Sequence, residues 1–92
     1  YYCVSGQLKT MLDRANPLFD TDYVFTKAYL LATAAEDASE TFAGTEKAVQ
    51  GWVDCFPNCA LVGTVFAGGV NGVGEIAGHI ALEQAYQMGK EV

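Results

Sequence analysis

Positive charge is what this chain has least of: five Lys and Arg stand against eleven Asp and Glu, for a formal net charge of −6. Lys9, Arg14, Lys27, Lys47 and Lys90 are scattered and form no patch. That argues against nucleic acid as a partner, because neutralising phosphates takes clustered Lys and Arg. An acidic chain can still hold an anionic cofactor, through backbone N–H groups and helix N-termini. Long apolar runs are missing too. Apolar residues make up 51% of the chain, yet nothing approaches the roughly 20 uninterrupted apolar residues of a membrane span. The ordered basic, apolar and small-residue regions of a signal peptide are not present either. A soluble, cytoplasmic domain with no membrane partner is expected.

Metal ligands are equally sparse. The only His is His79, and the three cysteines, Cys3, Cys55 and Cys59, leave one thiol unpaired under any intrachain disulfide scheme. An odd count suits a reducing compartment. Cys55 and Cys59 have no second pair of ligands nearby, whereas a structural zinc site takes four. Free thiols and no metal are expected.

What the chain does have is an alternation of helix-like and strand-like segments. Tyr1 to Val4 read as the end of a buried strand, with the rest of that strand expected upstream. Ser5 is a helix N-cap by type, and Leu8, Met11, Leu12 and Ala15 follow at i, i+3, i+4 and i+7 until Asn16-Pro17 stops the helix. Leu18 to Thr26 read as polar and turn-like. Ala28 to Thr33 is a short apolar run of the kind found in strands covered on both faces. Asp37-Ala38-Ser39-Glu40 then resembles a capping box, and Phe42, Thr45, Val49, Trp52, Val53 and Phe56 form a helical stripe ended by Pro57. Ala60 to Phe66 is the next strand. After the loop Gly68 to Gly72, a last helix is expected to carry Val73, Ile76, Ala77, Ile80, Ala81 and Met88 inward and to end at Gly89.

Alternating strands and helices imply an α/β fold with a parallel sheet and right-handed crossovers. Such a sheet needs both faces and its edges covered, so the Ala28–Thr33 strand is expected to find a neighbour or to drive self-association into a homo-oligomer. In open α/β sheets, ligands bind outside the carboxyl ends of the strands. Tyr1–Arg14 and the turn Ala34-Ala35-Glu36 lie at such ends.

One segment carries a family resemblance. Tyr1-Tyr2, followed by Ser5-Gly6-Gln7-Leu8-Lys9 and Asp13-Arg14, resembles the flavin-binding segment of flavodoxin-like NAD(P)H-dependent FMN reductases. The closing stretch Gly68-Gly69-Val70, Gly74-Glu75-Ile76 and Ala85 to Lys90 is similar to that family's last loop and helix. The resemblance implies a three-layer flavodoxin-like fold, of which residues 1–92 would be the C-terminal half: the end of the third strand, then helix, strand, helix, strand, helix. It implies FMN as cofactor and NAD(P)H as co-substrate, with a hydride passed through the flavin to a small-molecule acceptor. Tyr1, Tyr2, Cys3, Val4, Ser5, Gly6 and Gln7, with Ala34, Ala35 and Glu36, would line the isoalloxazine site, and no side chain would act as catalytic acid or base. The family's phosphate-binding loop has no counterpart among these residues. A non-catalytic flavodoxin-like binding or assembly module is the alternative the same pattern allows.

Gly72-x-Gly74-x-x-Ala77 also satisfies the dinucleotide fingerprint. Its context is wrong: Gly68 to Asn71 make the turn too long, and no later strand presents a ribose-binding acid. His79 and Trp52 read as structural, and Lys9 and Asp13 as a surface pair.

Overall fold

Two parallel strands and three helices form in the computed structural model, which describes residues 1–92. In chain order they are α1 (Gly6–Arg14), a 3₁₀ turn (Asn16–Leu18), β1 (Lys27–Thr33), α2 (Ser39–Val53), β2 (Ala60–Ala67) and α3 (Ile80–Lys90). The architecture is mixed α/β. β1 and β2 pair in register from Lys27↔Ala60 to Thr33↔Ala67, with one irregularity between Ala28 and Tyr29. α2 makes the crossover between them.

Strand alternation assigns the two faces. Ala28 and Leu30 point toward α2, where Leu30 packs with Val49 and Val53, the latter 1% exposed. Tyr29 points the other way, and Met88 of α3 lies against Gly63 beside it. At the amino end of the strands Tyr23, Phe25, Trp52 and Phe56 pack ring to ring, with centroids 4.7 to 6.1 Å apart. This cluster ties the chain entering β1 to the last turn of α2. The Trp52 indole N–H also donates to the Leu12 carbonyl at 3.1 Å, which holds α1 against α2.

Burial is thin. Nine of 92 residues are buried, and the radius of gyration is 14.3 Å, where a close-packed chain of this length would have about 12 Å. Leu31, on the α3 side of β1, is 61% exposed because α3 lies over β2 and leaves it uncovered. No helix is long and apolar enough to cross a membrane.

Four sequence expectations need correction. Tyr1 to Val4 are not strand: they pair with neither β1 nor β2, and Tyr2 has φ 37°, outside the β region. They form an arm lying over α2 instead. Residues 18–26 are not simply polar turn, since Tyr23 and Phe25 belong to the aromatic cluster while Val24 between them is exposed. The α2 cap is Ala38, which has no side-chain acceptor, and Asp37 lies one residue earlier, against Gly68. The last helix begins at Ile80, not Val73, and runs past Gly89 to Lys90. Gly74 and Gly78 have φ of +86° and +77°, which no right-handed helix accommodates. Of the inward positions expected there, Ala81 is buried and Ile76 and Met88 are half-buried, whereas Val73, Ala77 and Ile80 are exposed.

Candidate functional site

The carboxyl ends of β1 and β2 stay paired into the loops that follow them. Ala34 N–H donates to the Ala67 carbonyl at 3.1 Å, and Val70 N–H donates back to the Ala34 carbonyl at 2.9 Å. The turn after β1 is thereby fixed beside the turn after β2. Above it lies an open groove of about 500 Å³, within the usual range for small-molecule sites.

Four parts of the chain build this groove. The arm supplies Tyr1, Tyr2 and Cys3, and β1 with its turn supplies Ala32 to Glu36. α2 and β2 supply Phe42 and Phe66, whose rings stack at 5.1 Å and 10°. The arm is held by one hydrogen bond and one close approach. The Tyr2 hydroxyl donates to Glu36 Oε1 at 2.6 Å. The Tyr2 carbonyl sits so near Gly44 that a Cβ there would collide with it. Gly44, a helix-weakening residue in the sequence, is what lets the arm lie on α2.

Glu36 is the only ionisable carboxylate lining the groove, and no Lys, Arg or His lines it. Its second oxygen is 3.5 Å from the hydroxyl of Thr41, itself 5% exposed. The Tyr2 phenol is held above its ordinary value of 10.0, first by its hydrogen bond to Glu36 and then by the carboxylate's charge.

The ten residues expected at a flavin site are distributed unevenly. Tyr1, Tyr2, Cys3, Ala34, Ala35 and Glu36 line the groove together. Val4 and Gly6 line a second cavity of about 540 Å³ between α1 and α2, where Lys9, Leu12 and Trp52 also lie; Cys3 borders both. Ser5 and Gln7 line neither. Ser5 caps α1, its hydroxyl accepting from Leu8 N–H at 3.2 Å. Sequence reasoning missed Phe42 and Phe66 as groove residues. In the sequence Phe42 shows only as part of a helical stripe, and the parallel register that brings Phe66 beside it is not written locally.

The Gly72–Ala77 fingerprint does not open a helix. Asn71 and Gly72 N–H groups donate to the Glu75 carboxylate at 2.7 and 2.8 Å, so the loop's own acid occupies donors a phosphate would need. Those bonds, Gly72's first, hold the Glu75 carboxyl below its ordinary 4.5. His79 caps α3: Nδ1 accepts from Ala81 N–H at 3.0 Å, which leaves the ring proton on Nε2, 2.9 Å from the Gly68 carbonyl. Lys9 and Asp13 pair at 2.7 Å on the exposed face of α1. Comparison with protein-family models, with curated proteins and with solved structures returned no match.

Proposed function

We propose that the chain is the flavin-binding part of a flavodoxin-like, FMN-dependent oxidoreductase that passes a hydride from NAD(P)H through flavin to a small-molecule acceptor. The observation that carries this reading is the convergence of Tyr1, Tyr2, Cys3, Ala34, Ala35 and Glu36 on one groove at the carboxyl ends of parallel strands. That is where open α/β sheets bind ligands. The aromatic floor of Phe42 and Phe66 suits a planar ring, and the volume suffices for one. When bound, the flavin would supply the redox chemistry; the protein supplies orientation and electrostatics. Tyr2 and Glu36 would position the ring's polar edge, and Phe42 and Phe66 would keep water from its lower face.

The test is to titrate the chain with FMN, following flavin fluorescence, and then to supply NADH or NADPH with a quinone acceptor. Quenched flavin emission and nicotinamide oxidation that both weaken in Phe42→Ala are expected. Unaltered flavin emission throughout would remove the reading.

One observation favours the assembly reading beside it. Thirteen large apolar side chains are exposed, and Leu31 lies on a strand with a free edge. A homo-oligomer that covers β1 would bury this surface. Sedimentation of the wild type against Leu31→Lys tests it: a weaker assembly in the variant is expected, and a monomer in both rejects it.

A further inference from the structure

The groove's charge and hydrogen-bonding capacity narrow its ligand beyond the flavin reading on which this inference rests. Twelve residues line it, and the only charged side chain among them is the Glu36 carboxylate. A helix N-terminus is ordinarily a place for phosphate. Here the entry to α2 already carries Glu36, Asp37 and Glu40, which oppose an incoming dianion. The rest of the lining is aromatic, aliphatic, thiol or hydroxyl.

Glu36 is also not saturated. A carboxylate offers about four lone-pair sites. The Tyr2 hydroxyl takes one at 2.6 Å, and Thr41 approaches the other oxygen at the long distance of 3.5 Å. Acceptor capacity therefore remains on a side chain that faces an aromatic groove. A planar heterocycle with a ring N–H satisfies both features at once: it packs against the stacked Phe42–Phe66 pair, and its N–H meets Glu36. A phosphate satisfies neither.

We propose that these residues hold only the uncharged ring system of the flavin and not the phosphate of FMN, so that this chain by itself binds riboflavin and lumiflavin in preference to FMN. Glu36 accepts the ring N–H and is the specificity determinant. A phosphate monoester carries about −1.5 to −2 charges, and across a watery groove its repulsion by Glu36 amounts to roughly a few-fold loss of affinity. The preference is larger at low salt and shrinks as added salt shortens the Debye length.

The experiment measures the affinities of lumiflavin, riboflavin and FMN for the 92-residue chain by flavin fluorescence, at low and high salt, in wild type, Glu36→Gln and Glu36→Lys. Circular dichroism checks that each variant folds. Wild type is expected to favour riboflavin over FMN by roughly a few-fold at low salt, and less at high salt. Glu36→Gln, which still accepts from Tyr2, should close that gap, and Glu36→Lys should reverse it. Tighter binding of FMN than riboflavin by wild type would overturn the preference while leaving the flavin reading intact. A gap unchanged in folded Glu36→Gln would overturn the role of Glu36. Binding of none of the three would remove both readings.

Discussion

The Tyr2 hydroxyl and the Glu36 carboxylate meet at 2.6 Å across 34 residues of chain, joining the N-terminal arm to the turn after β1. Both partners line the groove, so they are groove residues and fasteners at once. It also explains the unusual backbone of Tyr2, whose φ of 37° turns the phenol toward the turn while its carbonyl rests over Gly44.

This pairing makes an alkaline titration informative. The folded phenol titrates above 10.0 because ionisation would lose the hydrogen bond and place a second negative charge beside Glu36. Its contribution to stability is present below the unfolded value and is lost as pH rises through the higher folded one. Ultraviolet titration of the five tyrosines should show a high-pH phase that disappears in Tyr2→Phe and moves down in Glu36→Gln. The same phase in all three proteins would show that Tyr2 and Glu36 do not interact.

Gly44 and Gly51 separate packing from propensity. Replacing a helix-interior Gly by Ala ordinarily stabilises by about 0.5–1 kcal/mol. Gly51 has open space around it, so Gly51→Ala should gain roughly that amount. At Gly44 the new Cβ meets the Tyr2 carbonyl, so Gly44→Ala should displace the arm and weaken flavin binding. Urea unfolding followed by the single Trp, with flavin titration alongside, checks both.

Much of what neighbouring residues specify is legible in the sequence, whereas the cap of α2, the start of α3 and the contacts between distant residues are not. β1 and β2 announce themselves as short apolar runs, and α1 as a stripe with Ser5 before it, because each is specified by adjacent residues. The start of α3 was misplaced because apolar spacing continues through Val73 and Ile76, while the φ of Gly74 and Gly78 is set by the loop. Six of ten proposed site residues fall together because turns after parallel strands share one end of the sheet. Phe42 and Phe66 escaped notice because their contact needs the strand register.

His79 offers a second local test. Its Nδ1 satisfies the Ala81 N–H, one of the unpaired donors at the start of α3, while its other nitrogen reaches the Gly68 carbonyl. Losing a side-chain cap costs about 1 kcal/mol, so His79→Ala should lower stability by roughly that much. Asn is a good cap but too short to reach Gly68, and His79→Asn should recover only part of the loss. Equal stability of wild type and His79→Ala in urea would show that the cap contributes nothing.

Glu75 gives the acid-side counterpart of Tyr2. Its carboxylate gathers the N–H groups of Gly72 and Asn71, and these bonds favour the charged form, so the folded group titrates below 4.5. The sign is opposite to that of Tyr2: the stabilisation is present above the unfolded value and disappears as pH falls through the lower folded one. Glu75→Gln keeps one acceptor but has no charge to lose. The variant should therefore be less stable than wild type at neutral pH, with the difference narrowing as the solution is acidified. Other carboxylates titrate in both proteins, so subtracting the two urea midpoints at each pH isolates Glu75. A difference that stays constant across the acid range would mean that the loop is held by something other than this carboxylate.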